Sequence, residues 1–408
     1  MIINLVDPDG YAKNGAPHGQ FRWLRANEPV YRHHGDLTRD WPDFWAVTRH
    51  EHVVQVSRNP ALFSSHRKLA LFDELPEAER EVQRMMMINQ DPPDHTRRRS
   101  LVNRGFTPRM IAKLEKHIQE ICEMLLDDVD RRPEVDFVRD VAAPLPLYVI
   151  CELLGAPVED RDKLFNWSNR MIGSEDPDYS AAPEDGMAAA TEIYSYAARL
   201  AAERRENPRD DIASRLLRPD ENGETLSDEE FNLFVMLLVV AGNETTRNAA
   251  SGGMLAFFDN PAQWDRLVAD PAGLAATAAD EIVRWGSPVN MFRRTATADT
   301  VLGDQKISEG DKVVVFYPSA NRDESVFDSP EVFDITRDPN PHIGFGGGGA
   351  HFCLGNHLAK LELRVLFETL ARRFPHIRQT GEARRLRSNF INGIKTLPVD
   401  LRQSSSPS

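Results

Sequence analysis

The sequence has 408 residues, with 49 Lys and Arg against 63 Asp and Glu, and a formal net charge of −14. So acidic a chain argues against bulk binding to nucleic acid, because phosphate recognition needs a basic surface. No apolar run is long enough to span a membrane, and the first residues lack the basic start of a signal peptide. We therefore expect no nucleic-acid partner, no transmembrane anchor and a cytoplasmic location.

The first half of the chain is predicted to be mostly helical after residue 93. Residues 1–60 mix loops with short extended pieces. Thr107 precedes Pro108, and an N-cap residue followed by a first-turn proline is typical of a helix start. Residues 166–183 are broken by Gly, Pro and Asp, which predicts a loop between two helices.

The second half begins with the longest predicted helix. Ser227 and Glu230 have the spacing of a capping box, and the apolar segment behind them continues without proline to residue 258. Strands are predicted between residues 292 and 316, and a final helix covers about 354–373. We expect one mainly α domain with small β-sheets over 1–408, with β-rich parts at 1–60 and 292–400, a helix-rich part at 93–285 and a disordered tail at 402–408.

A glycine-rich loop over residues 344–355 contains Cys353 and leads into the final helix. The start of a helix favours a thiolate, because its free N–H groups and dipole stabilise negative charge. Such a thiolate is suited to nucleophilic attack or to metal ligation. The alternative is a buried structural thiol, which is the interpretation that fits Cys122 and Cys151 on apolar helical stripes.

Three other pairs of polar residues have spacings that allow contact within a helix. Glu244 and Thr245 lie inside an apolar helix, where an acid and a hydroxyl need hydrogen-bond partners. The spacing of Glu281 from Arg284 and that of His95 from Arg99 place each pair on one helical face. Taken singly, these pairs also fit ordinary backbone bonds and exposed ion pairs.

Four segments, in this order, resemble the signatures of the cytochrome P450 family. They are 91–99 (DPPDHTRRR), 241–246 (AGNETT), 281–284 (EIVR) and 344–355 (GFGGGGAHFCLG). One departure is that Phe345 stands eight residues before Cys353, where the family usually has seven. This variant, with the segments 174–179 and 389–395, resembles the actinobacterial sterol and methyl-branched-lipid hydroxylases.

The resemblance implies the cytochrome P450 fold, in which a long central helix lies over a buried haem b. Cys353 would be the axial iron ligand, and Glu244 with Thr245 would deliver protons during oxygen activation. Glu281 and Arg284 would form a buried structural pair with Arg or Asn from the stretch before the cysteine loop. The remaining residues assigned to haem binding are Ala241, Gly242, His95, Arg99, Arg294 and His351; whether Arg293 or Arg294 reaches a propionate stays open.

The implied function is monooxygenation of a small apolar substrate with O₂ and electrons from a ferredoxin and an NAD(P)H-dependent ferredoxin reductase. The resemblance favours a sterol side chain or a methyl-branched lipid as substrate. Alternatives are a macrolide or terpenoid tailoring hydroxylase, a peroxide-driven haem enzyme, and a haem sensor or carrier without turnover. Candidate pocket walls are mainly apolar: Val239, Val240, Val289, Met291, Phe292, Ile391 and Ile394. Candidate cations for ferredoxin docking are Arg97, Arg98, Arg104, Arg109 and Lys113, with Lys360 or Arg364.

Overall fold

Helices form most of the computed structural model, which describes residues 2–35, 41–173, 176–179 and 184–401. The helices are α1 (Pro8–Asn14), α2 (His18–Asn27), α3 (His50–Arg58), α4 (Glu77–Arg84), α5 (Asp94–Asn103), α6 (Pro108–Asp130), α7 (Pro144–Leu154), α8 (Arg161–Ile172), α9 (Glu184–Glu206), α10 (Ile212–Leu216), α11 (Asp228–Asp259), α12 (Pro261–Ala269), α13 (Pro271–Gly286), α14 (Tyr317–Ala320) and α15 (Asn356–Arg373). The mainly α fold with small sheets is confirmed.

The strands are short and lie mostly towards the two ends of the chain. They are β1 (Val30–His33), β2 (Phe44–Val47), β3 (Phe63–Ser64), β4 (Val135–Asp136), β5 (Met291–Ala296), β6 (Thr300–Leu302), β7 (Gln305–Ile307), β8 (Lys312–Phe316), β9 (Arg378–Gln379), β10 (Arg384–Arg385), β11 (Ile394–Thr396) and β12 (Pro398–Asp400). Five of them form one sheet in the order β1-β2-β8-β5-β3. β2 and β8 are parallel, and Trp45 is opposite Val313.

Local capping explains where the long helices begin. The Thr107 side chain accepts the N–H of Met110 at the start of α6. At the start of α11, Ser227 Oγ accepts the Glu230 N–H at 3.1 Å and the Glu230 carboxylate accepts the Ser227 N–H at 3.0 Å, so the predicted capping box is present. These bonds satisfy N–H groups that have no partner within a helix.

The predicted loop at 166–183 is wrong in its first part, because α8 continues to Ile172. Its apolar and polar residues keep helical spacing up to Gly173, which is the C-cap of α8. Residues 174 and 175 of the segment compared with the hydroxylases, and the predicted tail 402–408, lie outside the described residues.

The 32-residue helix α11 is the centre of the fold and packs against α7, α8, α9, α13 and α15. Its buried side chains belong to the largest hydrophobic cluster, while a second cluster joins α1 and α2 to the five-stranded sheet. Of the helices in the described part of the chain, none is both long and apolar enough to cross a membrane. Residues 95, 245, 294 and 353 come from four distant parts of the sequence. They lie on α5, on α11, on β5 and just before α15, respectively.

Candidate active site

Cys353 lies three residues before α15, at the end of the glycine-rich loop, as predicted. Its backbone N–H donates to the Phe345 carbonyl at 2.9 Å, so the longer spacing between these two residues still closes the loop. Burial raises the pKa of the Cys353 thiol, whereas the backbone N–H of Gly355 and the charge of Arg99 favour the thiolate. The loop therefore holds Cys353 half-buried, with the Gly355 N–H directed at its sulfur.

Gly347 and Gly349 of this loop lie closely against the end of α3. Gly349 has a φ of +75°, and a Cβ at this position would lie 2.4 Å from the Ser57 carbonyl oxygen. Any larger residue would be strained in conformation and would also clash with the backbone of α3. The position of Cys353 is thus fixed by a rigid loop.

Glu281 and Arg284 form a fully buried bidentate pair on α13, with both distances at 2.7 Å. Arg337 lies 3.3 Å from the Glu281 carboxylate, and the Asn340 amide donates to it at 3.1 Å. Arg284 also donates to the carbonyl of Asn321 at 2.9 Å. Both an Arg and an Asn from the stretch before the cysteine loop therefore contact the buried pair.

A cluster of buried nitrogen donors lies beside the cysteine loop. The rings of His95 and His351 are 4.3 Å apart, and His95 Nδ1 and His351 Nε2 are both buried without a partner. Burial first, and then Arg99 and Arg294, lower the pKa of His95 to about 4. For His351 the same causes, burial and Arg294, hold the pKa well below its ordinary value. The cluster combines ring nitrogens with the positive charges of Arg99 and Arg294, and the Asp91 carboxylate acts on His95 in the opposite direction.

The strand β5 decides which of the two adjacent arginines belongs to this cluster. Arg293 Nη1 forms an ion pair with Glu74 at 2.8 Å. Arg294 points to the other face of the strand, where its charge acts on His95 and His351. Its Nη1 donates to the Arg293 carbonyl at 2.6 Å. The geometry therefore favours Arg294 and leaves Arg293 with a partner of its own.

Arg99 connects the donor cluster to the cysteine loop. Its Nη2 donates to the Phe352 carbonyl at 2.7 Å, and its Nε donates to Asn103 at 3.0 Å. The residue next to Cys353 is thereby attached to α5.

α11 presents Ala241 and Thr245 on one face, since residues four apart lie above each other. Ala241 is exposed, and the Thr245 hydroxyl donates to its carbonyl at 2.6 Å. Gly242 was expected to let this helix approach the haem. A Cβ on Gly242 would lie 3.1 Å from Ile150, so the glycine allows α7 to pack closely on α11.

Glu244 is buried with 1% exposure and faces α8. Its carboxylate forms an ion pair with Arg247, which donates to Asn169 Oδ1 at 2.6 Å. Ser168 Oγ lies 3.5 Å from Glu244 Oε1. Burial raises the pKa of Glu244, while Arg247 and Ser168 act against that rise. The sequence analysis missed Arg247, although its spacing of three from Glu244 on a helix could have indicated it.

The candidate pocket walls divide into two groups. Val240, Val289 and Phe292 are partly exposed, whereas Ile391 and Ile394 are buried, and Val289 pairs with Ile391 through a β-bridge.

Two of the wall assignments need correction. Val239 has 0% exposure and is packed within the main cluster. Met291 has 1% exposure and belongs to the cluster between the N-terminal helices and the sheet, because alternate residues of β5 point to opposite faces. Neither residue borders the surface that α11 presents at Ala241.

The cytochrome P450 family model matches residues 274–399. A steroid C26-monooxygenase of Rhodococcus jostii (strain RHA1) is 46% identical over 411 residues, which cover 99% of this chain and 85% of that protein. This chain is a cytochrome P450. The methyl-branched lipid omega-hydroxylase of Mycobacterium tuberculosis (strain ATCC 25618 / H37Rv) is 46% identical over 360 residues, covering 87% of this cytochrome P450 and 83% of that protein.

A solved structure of another cytochrome P450 agrees with this placement. The Mycobacterium marinum cytochrome P450 in complex with pseudoionone has a TM-score of 0.91 and 38% identity, and the match covers 98% of each chain. The predicted family, the resemblance to sterol and methyl-branched-lipid hydroxylases, and the monooxygenase activity are confirmed. A cytochrome P450 carries haem with a cysteine thiolate as axial ligand, which confirms the predicted cofactor.

The donor set of this cytochrome P450 fits haem. Haem bears two carboxylates, and the structure offers His95, His351 and Arg294 as buried donors with no carboxylate paired to them among the described residues. Buried cations and donors need such a partner, because an unmatched charge in the interior is costly. Cys353 is half-buried and lies on the glycine-rich loop. Arg99 connects this loop to the same donors.

Proposed function

We propose that this cytochrome P450 hydroxylates an unactivated carbon at or near the end of an elongated apolar substrate, a steroid side chain or a methyl-branched lipid. The observation that carries the proposal is that Arg99 joins the buried donors to the Cys353 loop, while α15, the helix that follows Cys353, packs against α11, which bears Ala241 and Thr245. The relatives named for steroid and methyl-branched-lipid hydroxylation match nearly all of the chain and support the substrate class.

Within this proposal, each residue has a separate task. When bound, the haem supplies the chemistry that activates O₂ and inserts one oxygen atom into a C–H bond. Cys353 would provide the axial thiolate, and its loop and the Gly355 N–H would hold the sulfur in place. His95, His351, Arg294 and Arg99 would bind the two propionates, and Glu281 with Arg284 would fix the segment that leads to the loop.

Thr245 and Glu244 would handle protons on the α11 side. The Thr245 hydroxyl would exchange its bond to the Ala241 carbonyl for one directed into the site, and would present a proton there. Arg247 and Ser168 hold Glu244 towards α8; once released, its carboxylate would take up a proton from solvent and return it to Thr245. A haem sensor or carrier needs no proton delivery, so an acid and a hydroxyl in this arrangement support an enzyme that turns over.

The substrate wall would be mainly apolar. Val240, Val289 and Phe292 are its partly exposed members, and Ile391 and Ile394 lie behind them. A site with few polar anchors holds a long aliphatic group better than a small polar molecule, because burial of apolar surface supplies most of the affinity. This composition supports a hydrocarbon substrate.

We expect cholest-4-en-3-one or a phytanic-type acid to shift the Soret band of the holoprotein towards the high-spin form. With a ferredoxin, its reductase and NADPH, the same compound should give a product with one added oxygen near the end of its chain. The measurement is a spectral titration followed by mass spectrometry of the product. Macrolactones form the comparison set. If macrolactones alone shift the Soret band, the lipid assignment is wrong and the protein is a macrolide-tailoring hydroxylase.

Electrons would come from a ferredoxin and its NAD(P)H-dependent reductase. Because NAD(P)H is a cytoplasmic electron donor, the proposed location of the enzyme is the cytoplasm. Four of the expected docking cations already have acidic partners. Arg97 and Arg98 contact Glu230, Lys360 lies 2.6 Å from Asp280, and Arg364 lies 2.6 Å from Glu115.

Arg104, Arg109 and Lys113, at the end of α5 and the start of α6, have no ion pair with a described residue. They are the cations that remain for an acidic partner.

Charge reversal in Arg109→Glu with Lys113→Glu should slow reduction by ferredoxin, and the loss should be largest at low ionic strength, where charges are least screened. Stopped-flow reduction at several salt concentrations measures the effect. The double variant Lys13→Glu with Lys306→Glu makes the same charge change at exposed positions of α1 and β7 and should reduce normally. Equal slowing in both variants would show a net-charge effect and place the dock elsewhere.

A further inference from the structure

Two of the donors that the proposed function assigns to the propionates lie on separate elements, His95 on α5 and Arg294 on β5. A first link between these elements runs through Asp91. The Asp91 carbonyl accepts the His95 N–H at 3.0 Å, at the start of α5, and the Asp91 carboxylate accepts the Ser64 hydroxyl of β3. Ser64 lies opposite Thr295 in the antiparallel pairing of β3 with β5. A continuous set of contacts therefore runs from His95 to the residue that follows Arg294.

A second link starts at Asn89, which is 1% exposed in the stretch before α5. Its Oδ1 accepts the Ala70 N–H at 2.9 Å, and its Nδ2 donates to the Gln83 carbonyl at 2.9 Å. The Ala70 carbonyl in turn accepts the Arg293 N–H of β5 at 2.8 Å. Ala70 thus connects the stretch before α5 to the residue that precedes Arg294. The two links reach β5 on either side of Arg294.

Leu69, next to Ala70, has a backbone conformation that residues with a Cβ rarely adopt. Its φ is +70°, and its side chain is buried. The left-handed region brings the Cβ close to a carbonyl oxygen, so such a residue persists only where surrounding contacts hold it. Here the two hydrogen bonds of Ala70 are those contacts. The unfavourable conformation indicates that the position of this segment is fixed by Asn89 and Arg293.

Glu74 holds the same segment to the sheet through two buried cations. Arg293 of β5 is 1% exposed and Lys312 of β8 is 4% exposed. Their side-chain nitrogens lie 2.8 Å and 3.6 Å from the Glu74 carboxylate, and Lys312 also donates to the Phe72 carbonyl. Because buried cations need such a partner, these contacts fix the segment on the face of β5 opposite to Arg294.

We propose that Asn89 and Glu74 are positioning residues for haem binding. They hold residues 69–74 between the start of α5 and β5, and so set the separation of His95 from Arg294. The inference rests on the assignment of these two donors to the propionates in the proposed function. It assigns Asn89 and Glu74 no contact with haem or substrate and no proton transfer.

The test compares the rate of haem loss from Asn89→Ala and Glu74→Gln holoprotein with that from the wild type. Excess apomyoglobin captures the released haem, and the change in the Soret band gives the rate. Asn89→Ala removes the acceptor of the Ala70 N–H, and Glu74→Gln removes the charge between Arg293 and Lys312. Each variant should lose haem roughly three- to tenfold faster, the scale of one lost hydrogen bond.

Asn260→Ala is the matched control. It also truncates a partly buried asparagine, whose Nδ2 donates to the Ala256 carbonyl at 2.8 Å at the end of α11. This variant should lower the melting temperature and lose haem at the wild-type rate.

Haem dimethyl ester separates positioning of the donors from a general loss of structure, because both of its propionates are esterified and carry no charge. Its ester groups would bind the buried donors only weakly, so the placement of His95 and Arg294 should matter little. In protein reconstituted with this haem, Asn89→Ala and Glu74→Gln should lose it at nearly the wild-type rate.

The inference is overturned if both variants lose haem at the wild-type rate, or if they accelerate the loss of haem and of its dimethyl ester equally. If only one variant folds, that variant decides the question. Haem loss involves neither substrate nor turnover. A wild-type protein that retains haem but makes no hydroxylated product therefore counts against the proposed function alone, and the two failures are distinguishable.

Discussion

Replacing Cys353 by serine should abolish the red-shifted Soret band of the reduced carbon monoxide complex and bring hydroxylated product below detection. The Gly355 N–H favours the thiolate form of Cys353, which is the form that ligates iron. A serine hydroxyl at this position would stay protonated. Loss of the thiolate removes the electron donation that assists O–O cleavage in this class of enzyme. The carbon monoxide difference spectrum and product analysis by mass spectrometry measure the two effects.

Cys151→Ser is the matched control for this prediction. Cys151 is a fully buried thiol on α7, and burial raises its pKa to about 11, as expected of a structural cysteine. Its serine variant should keep the red-shifted band, even if its stability falls. A Cys353→Ser protein that keeps both the band and the product would show that another group ligates the iron.

Glu281→Gln should destabilise the protein by about 3–5 kcal/mol, because it leaves the fully buried Arg284 without its charge partner. Glu281 also accepts the Asp334 N–H at 2.8 Å, so the segment before the cysteine loop should loosen. Chemical denaturation gives the change in stability, and the ratio of Soret to protein absorbance gives the haem retained.

The control for the buried pair is Glu309→Gln, which removes an exposed pair with Arg67 of 2.9 Å. Its side chains are 45% and 57% exposed, and such pairs contribute under about 1 kcal/mol. If Glu281→Gln is no less stable than Glu309→Gln and holds as much haem, the buried pair is not a structural support of the loop.

Features that depend on neighbours in the sequence were predictable. The caps of α6 and α11 arise from contacts within a few residues, and the Glu281–Arg284 pair is set by helical spacing. The position of Cys353 before a helix also follows from local pattern. Each of these contacts forms wherever the local helix forms.

Features that depend on how elements pack against each other were not predictable. The choice between Arg293 and Arg294 needed Glu74, a residue more than two hundred positions away. The direction of Gly242 needed the placement of α7, and the burial of Met291 needed the N-terminal helices. The rotation of a helix or strand about its own axis depends on tertiary contacts. These contacts cannot be read from a single sequence.

The five-stranded sheet joins two parts of the chain that leave the ribosome far apart in time. β1 and β2 are complete by residue 47, but β2 pairs with β8, which ends at residue 316. Until then β2 has an exposed edge, and pairing across so long a separation is slow. β5, which carries Arg294, lies beside β8 in the same sheet. During synthesis the cofactor should therefore be captured late, after the two ends of the chain have met, and a nascent chain shorter than this should depend most on chaperones.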